Sequence, residues 1–400
     1  MTQMRETKPV GGFRAESLLK VLEETNVSSF PDAWGPTNVM QVYDPETSMQ
    51  GLLVIDNTRL GPGCGGIRIS PTITPRDVFQ RARTVTMICA LAEIEFGGAA
   101  AGIRAVSPDA NRIQLVTAFA RGISPHVPEQ YVACPDLNTG QVEMRAFVDE
   151  IGDRQGAAGK PVDMGGIPFE LGVMGFGIGV AVEESLAAYK PSKVLPPSLA
   201  EANVAVQGFE NTGSALTKYL ANKGARIVAV SDEWGTVTNP KGLEVNKLSK
   251  CASAPSEKQS LHHLKGMSKC PKEDIIKVDC DILLLCTDSN MLTEDTAPLL
   301  NARCVVEGNN NPISAIADQM LTKNGVHIIP DIIAAAGGPI SAYAEFTRNS
   351  CERAFSLIEA KIKDVTRYLV GKSIELGVPL RRMAKETAKE RILDAAEVVR

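Results

Sequence analysis

The strongest constraint on the fold is a regular alternation of apolar strands and helices that begins at Asn203. The pattern predicts strands over residues 204–207, 226–231, 281–286, 304–307 and 326–329, with helices between them. Strands that are apolar throughout are typical of a sheet whose two faces are both covered by helices. The second half of the chain is therefore expected to form a doubly wound parallel sheet.

The first two of these strands have the layout of a dinucleotide-binding strand–helix–strand unit. Gly208 and Gly213 occupy the first and third glycine positions of its loop, and Asp232 ends the second strand. Glu210 stands at the middle position, where a glycine lets backbone amides approach the pyrophosphate. Its carboxylate adds bulk and like charge, so cofactor binding is expected to be impaired. Asp232 favours NAD over NADP if a cofactor binds, and a simple turn acid is an equally weighted interpretation.

The first half mixes strand and helix signals. The predicted elements are a strand over 51–57, a tight glycine loop over 61–66, a strand at 67–69 and helices over 74–97 and 108–121. Thr74 is a good N-cap because Pro75 follows it at the first helical position. The lysine-rich stretch 241–277 is expected to be a surface helix and loop insertion, and the tail 340–400 to be helical with a break at Pro379.

Composition excludes several functional classes. The net charge of -5 argues against a nucleic-acid binder, and no apolar run approaches the roughly 18 residues of a membrane span. The N-terminus lacks an apolar signal core, so a cytoplasmic protein is expected. The nine cysteines contain no C-x-x-C pair, and the four histidines lack metal-binding spacing. No disulfide framework and no metal site are therefore expected.

Lysine is distributed unevenly. The chain has 21 lysines and 21 arginines, yet no lysine lies between Lys20 and Lys160, whereas ten arginines do. An arginine holds anions but does not act as a base. This gap weakens any mechanism that requires a lysine amine in the first half of the chain.

From about Gln41 to Glu345 the chain resembles the glutamate/leucine/phenylalanine/valine dehydrogenase family. The matching stretches are VIDNTRLGPGCGGIRISPTITPRDV, CALAEIEFGGAAAGI, ACPDLNTG, VAVQGFENTG, VVEGNNNP and PDIIAAAGG. The resemblance implies a substrate-type α/β domain over 1–180, a Rossmann-like domain over 181–340 and C-terminal helices over 341–400 that pack back across both. It also implies NAD(P)-dependent oxidative deamination of an amino acid to a 2-oxo acid, and a homo-oligomer that is often a hexamer.

The resemblance carries over three working lysines, and all three are replaced. Those that hold substrate groups fall on Cys64 of GPGCGG and on Ile88. The lysine that activates water falls on Ala100. The aspartate that handles protons in the family is kept as Asp136.

Further departures surround these positions. A threonine and an arginine of the family become Met174 and Phe176, an asparagine becomes Ala335, and a serine becomes Ala342. Asn310 survives in the stretch that starts at Glu307, flanked by two asparagines that the family pattern lacks. The presumed cleft therefore becomes less polar.

These losses leave three hypotheses open. A positioned acid or base supplies about 10²–10⁴ in rate, so loss of all three lysines is expected to abolish ordinary deamination. The chain is then a non-catalytic or regulatory paralogue, alone or assembled with an active relative. The alternative is an oxidoreductase with a less charged substrate that uses Asp136, and the third is a fold in which Asp136 is only a turn acid. The oxidoreductase of the second hypothesis would act on a small molecule.

Overall fold

The computed structural model describes residues 31–105, 111–189, 195–251, 260–287 and 291–398. Its strands are β1 (Asn38–Asp44), β2 (Met49–Asn57), β3 (Gly63–Ile69), β4 (Gly97–Arg104), β5 (Tyr131–Pro135), β6 (Asn203–Gln207), β7 (Arg226–Ser231), β8 (Thr236–Thr238), β9 (Ser268–Cys270), β10 (Cys280–Leu285), β11 (Ala302–Glu307) and β12 (His327–Ile329).

Its α-helices are α1 (Pro75–Ala92), α2 (Arg112–Ile123), α3 (Gln141–Ile151), α4 (Val173–Tyr189), α5 (Asn211–Asn222), α6 (Val245–Leu248), α7 (Ala315–Lys323), α8 (Asp331–Ala334), α9 (Gly337–Phe346), α10 (Cys351–Leu376) and α11 (Leu380–Val398). In the part of the chain that the structure describes, none of them is long and apolar enough to cross a membrane.

The first sheet has the order β1-β2-β4-β3-β5. Strand β3 runs parallel to β4 and β5, whereas β2 is antiparallel to β1 and β4. Helix α1 packs on one face through Val78 and Ala82, and α2 and α3 cover the other face through residues such as Phe119 and Phe147. The sheet is thus buried between helices, as the mixed apolar pattern requires.

Helix α1 begins as the sequence predicts. Thr74 is the N-cap, Pro75 is the first helical residue, and the Asp77 side chain completes a capping box. The helix ends at Ala92 because Glu93 takes a left-handed conformation with φ 52°, so the end predicted at Gly97 was wrong. The second predicted helix appears as α2, with Asn111 as its N-cap. Its predicted start at Pro108 lies outside the described residues.

The prediction of a glycine loop over 61–66 was wrong from Gly63 onward, because these residues begin β3. A Cβ on Gly65 would lie 1.7 Å from the carbonyl oxygen of Ala99, and one on Gly66 would lie 2.6 Å from Cβ of Asp136. These glycines therefore allow close approach between neighbouring strands and do not form a turn.

The second sheet has the order β12-β11-β10-β6-β7-β8-β9. The strands from β12 to β7 are parallel, which confirms the predicted doubly wound sheet. The chain leaves β6 toward β7 and later returns on the other side at β10, so the topological switch point lies between β6 and β10.

The expected surface insertion over 241–277 contributes more than a helix and loops. Its strand β9 pairs antiparallel with β8 at the sheet edge. Leu248 and Leu261 are fully buried in the core beneath it. This part of the prediction was wrong because the polar composition concealed a few buried leucines, and residues 252–259 lie outside the description.

The C-terminal tail is helical with a break before Pro379, as predicted. Its helices contact both the domain of the first sheet and the domain of the second sheet. Lys361 of α10 donates to the carbonyl of Glu93, and Arg391 of α11 donates to that of Leu91. Arg381, at the start of α11, forms ion pairs around the end of β11. These contacts confirm the expected packing across both domains, while the boundaries at 180 and 340 stay a prediction.

Candidate functional site

Asp136 lies directly after β5 and is held by Arg68 of the neighbouring strand. Arg68 Nε is 3.0 Å from Oδ2 and Nη2 is 2.8 Å from Oδ1, which makes a bidentate ion pair. Arg81 of α1 approaches Oδ2 at 3.9 Å. The backbone of Asp136 donates to Thr139 Oγ1. The parallel pairing of β3 with β5 brings these residues together although 68 positions separate Arg68 from Asp136.

The charges around Asp136 decide its protonation. Burial raises the pKa of this carboxyl group, but Arg68 and Arg81 outweigh burial and hold the pKa below its ordinary value. Asp136 is therefore ionised at neutral pH. A residue that moves protons near neutrality works best with a pKa close to the operating pH, so this arrangement opposes the predicted proton-handling role.

The three positions at which the resemblance implies lysines are all buried among apolar side chains. Cys64 is 1% exposed, Ile88 2% and Ala100 3%. Cys64 and Ile88 belong to the large central core that also contains Phe96. Ala100 packs with Val54, Val78 and Ala82 beneath α1. The space that amines would occupy is thus filled by hydrocarbon and a thiol.

Cys64 does not have the surroundings of a nucleophile. Its Sγ lies 3.8 Å from Sγ of Cys134. The hydrogen bond with Cys134 lowers the pKa of the Cys64 thiol, but the bond with Cys89 and burial outweigh it and raise that pKa well above its ordinary value. Reactive cysteines have depressed pKa values, so Cys64 stays a protonated core thiol. The described cysteines are all free.

Lys160, the residue that ends the lysine gap, is committed to a buried ion pair. Its Nζ lies 2.5 Å from Oε1 of Glu345 on α9 and also donates to the carbonyl of Ala157. The other oxygen of Glu345 accepts hydrogen bonds from the backbone of Gly159 and Ile167. The amine of Lys160 is therefore engaged by these partners and is held away from substrate chemistry.

The apolar replacements in the presumed cleft lie in the central core, as Ala335 and Ala342 do, or pack against it while partly buried, as Met174 and Phe176 do. Phe176 forms edge-to-face contacts with Tyr219 and Phe355, with centroids 5.5 and 5.1 Å apart. Ala335 and Ala342 are 4% and 0% exposed. These side chains lie at the junction between α4, α9 and α10.

The glycine loop after β6 retains the backbone of a phosphate site. Gly208 has φ +89°, and a Cβ on Gly213 would lie 1.8 Å from the Gly208 carbonyl oxygen, so both positions require glycine. Helix α5 begins at Asn211, between the two glycines, so its N-terminus lies at the loop. The backbone thus fits a pyrophosphate. Glu210 is the exposed N-cap of this helix, so its carboxylate can turn outward yet places like charge at the same end.

Asp232 is engaged by its own turn. Its Oδ1 accepts hydrogen bonds from the backbone of Trp234 and Gly235 at 2.9 and 3.0 Å. Its Oδ2 accepts one from Leu261 at 2.8 Å. This geometry favours the turn-acid interpretation, and a role in ribose binding stays a prediction.

Asn310 follows β11 and therefore lies at the same edge of the parallel sheet as Gly208. Its backbone donates to the side chain of Asn309. Asn311 has φ 50° and donates to Asp331, which fixes the shape of this loop. The additional asparagines thus serve the turn, since asparagine tolerates the left-handed conformation.

Comparison with known proteins decides the family. Residues 165–399 match the family model described as Glutamate/Leucine/Phenylalanine/Valine dehydrogenase, and residues 36–153 match the one described as Glu/Leu/Phe/Val dehydrogenase, dimerisation domain. The chain belongs to the glutamate/leucine/phenylalanine/valine dehydrogenase family.

Relatives from the dehydrogenase family are similar to this chain along most of their length. Glutamate dehydrogenase A2 of Halobacterium salinarum is 32% identical over 84% of this chain and 83% of its own length. NADP-specific glutamate dehydrogenase of Saccharolobus shibatae is 32% identical over 76% of this chain and 72% of its own length. A hetero-hexameric glutamate dehydrogenase of Thermus thermophilus has the same fold, with a TM-score of 0.80 and 24% identity over 96% of both chains.

Two charged residues of this family member escaped sequence reasoning. Lys160 was noted only as the end of the gap, and Arg381 was not singled out. Arg381 lies 2.8 Å from Glu307 Oε2, 2.9 Å from Asp318 Oδ1 and 3.6 Å from Asp331 Oδ1. Their partners lie far away in sequence, so only the uneven lysine distribution gave any signal.

The charged groups of the site meet at Asp136. Arg68 pairs with both of its carboxylate oxygens, Arg81 approaches one of them, and the pKa of Asp136 is held below its ordinary value. In the described part of this dehydrogenase-family chain, no group of three or more histidine, cysteine or acidic side chains is arranged to hold a metal ion.

Proposed function

We propose that this chain is a non-catalytic or regulatory member of the family, unable to run NAD(P)-dependent oxidative deamination of an amino acid. The observation that supports this most directly is the burial of Cys64, Ile88 and Ala100 in apolar cores at the family's lysine positions. Activation of water and binding of a substrate carboxylate both require cationic or basic groups there, and hydrocarbon supplies neither.

The alternative of an oxidoreductase with a less charged substrate depends on Asp136. Its bidentate pairing with Arg68 and its lowered pKa oppose proton transfer. An enzyme that uses Asp136 would need substrate binding to break this pair. The geometry therefore supports the non-catalytic function better.

Cofactor binding is proposed to be weak. The loop of Gly208 and Gly213 would hold the pyrophosphate at the N-terminus of α5, with Asn310 near the same sheet edge. A bound nicotinamide cofactor would supply hydride transfer. Glu210 opposes the phosphates, and NAD stays the proposed cofactor if one binds.

A regulatory member without a reaction of its own would act through assembly with other chains. We propose a homo-oligomer, such as a hexamer, or a hetero-oligomer with an active relative. The Thermus thermophilus protein that shares this fold is described as hetero-hexameric. Co-purification with an active dehydrogenase from the native source would support the mixed assembly.

The test combines activity and binding. The purified chain is assayed with glutamate, leucine, phenylalanine and valine and with NAD⁺ or NADP⁺, and cofactor binding is measured by calorimetry. We expect no turnover. We also expect the dissociation constant of NAD⁺ to be above about 1 mM, so that its binding free energy is weaker than roughly 4 kcal/mol. Turnover by the unmodified chain would refute the proposal.

Restoration separates the missing groups from a rebuilt cleft. Glu210→Gly should strengthen NAD⁺ binding about fivefold to thirtyfold, because removal of a like charge near a phosphate contributes about 1–2 kcal/mol. Glu201→Gly, an exposed acid outside the loop, is the matched control and should change nothing. Addition of Cys64→Lys, Ile88→Lys and Ala100→Lys should restore measurable deamination if only these amines are missing.

A further inference from the structure

A cleft of about 300 Å³ lies away from the site described above. The turn between α10 and α11 forms one wall, and β12 with the end of α7 forms the other. The volume is at the lower end of those that hold small organic ligands. Tyr189, at the end of α4, also lines the cleft.

Much of the wall is apolar or aromatic. The rings of Tyr189 and His327 pack with centroids 4.5 Å apart. Burial lowers the pKa of His327 and raises that of Tyr189 to about 12, so both rings are uncharged at neutral pH. Ile374, Val378 and Leu380 complete an apolar surface that suits a short hydrocarbon body.

The charged groups at the cleft leave an excess of negative charge. Asp318 and Arg381 line the cleft and form an ion pair at 2.9 Å. Behind them, the same guanidinium also pairs with Glu307 and Asp331. Three carboxyl groups thus surround one cation, and negative charge remains in excess even if one of them is protonated. Asp318, whose side chain is 21% exposed, is the carboxylate that a ligand can reach.

The helix termini do not reverse the excess of negative charge at the cleft. Helix α10 ends at Leu376 and α11 begins at Leu380, so a partial negative and a partial positive pole meet at one turn and offset each other. The last carbonyls of α10 are also bonded by the backbone of Gly377 and Val378. The local field is therefore set by the carboxyl groups.

We propose that this cleft binds a small organic cation, a primary ammonium group on a short apolar body. The ammonium pairs with Asp318, and the body packs against Tyr189, His327 and the turn between α10 and α11. This site is independent of the proposed function, because it lies at the β12 edge and shares no residue with the lysine positions or the glycine loop.

The test compares three probes of equal size on the full chain. Binding of n-butylammonium, n-butanol and butyrate is measured by calorimetry at neutral pH and low salt. We expect butylammonium to bind at least about tenfold more tightly than butanol, as for a charge-assisted hydrogen bond, and butyrate to bind less than either. Tighter binding of butyrate, or equal binding of butanol, would overturn the proposal.

Two variants locate the site. Asp318→Asn should weaken butylammonium binding at least about tenfold. Thr322→Trp fills the cleft while it leaves every charge in place, so it should abolish binding even if the first variant is too unstable to measure. Asp274→Asn, an acid in an exposed ion pair with Lys277, is the matched control and should bind like the unmodified chain. Binding that survives Thr322→Trp would place the ligand elsewhere and refute this site.

Discussion

The buried ion pair of Lys160 and Glu345 gives the sharpest prediction. The side chains are 6% and 2% exposed, and the pair joins the segment before α4 to helix α9. Lys160→Met removes the charge but keeps an apolar stem. The Glu345 carboxylate would keep its two backbone donors, Gly159 and Ile167, and would lose the Lys160 ammonium, which lies 2.5 Å from its Oε1.

Removal of one partner from a buried pair costs about 3–5 kcal/mol of unfolding free energy, because the remaining charge is uncompensated. The matched control is Lys223→Met, since the pair of Lys223 with Glu183 is 44% and 35% exposed. An exposed pair contributes about 0–1 kcal/mol, so the control should be nearly neutral. The double variant Lys160→Met with Glu345→Gln should recover at least about 2 kcal/mol, because a neutral amide oxygen still accepts from the backbone.

Urea unfolding at neutral pH, followed by far-ultraviolet circular dichroism, measures these differences. The first transition is used, because a two-domain chain need not unfold in one step. The reasoning is refuted if Lys160→Met costs no more than Lys223→Met. It is also refuted if the double variant is as unstable as the single one, since the loss would then arise from packing and not from an unpaired charge.

Three further predictions concern pH and glycine. Asp136 has a lowered pKa, so its ionised form stabilises the fold at neutral pH. As the pH falls from about 5 to 3, the free energy of unfolding should therefore decrease more steeply for the unmodified chain than for Asp136→Asn. Urea unfolding at a series of pH values measures this difference. Burial raises the pKa of Glu307 to about 7. The fold should therefore lose stability from about pH 5 to pH 8, and Glu307→Gln should flatten this dependence; an unchanged slope would contradict it. Gly213→Ala should lower the free energy of unfolding by about 1–3 kcal/mol, because the added Cβ meets the Gly208 carbonyl. Gly371→Ala on α10 is the control, since a Cβ there meets nothing within 4 Å, and it should be neutral or stabilising. Thermal melts compare the two variants.

Local patterns predicted the elements well where the physics is local. The cap at Thr74 depends on residues within one turn, and the strand β7 is recognisable from its own apolar run. The glycine run in β3 was misread, because glycine serves both turns and close strand contacts. Only the neighbouring positions of Ala99 and Asp136 show which use applies.

The candidate site divides in the same way. The sequence resemblance located Cys64, Ile88, Ala100 and Asp136, because motifs preserve order and spacing. It did not show that Asp136 is paired with Arg68 and lies near Arg81, since that depends on the pairing of β3 with β5. For Asp232, a hydrogen bond from Leu261, 29 residues away, adds to the local bonds from Trp234 and Gly235 that favour the turn-acid interpretation.

The sequence by itself determined the alternating architecture, the family, and the residue types at the three positions where the resemblance implies lysines. These follow from residue types and their spacing, which survive without coordinates. The tertiary structure decided the protonation of Asp136, the burial of the replaced positions and the partner of Lys160, 185 residues distant in sequence. Those properties depend on burial and on distances between charges, and only the folded chain sets both.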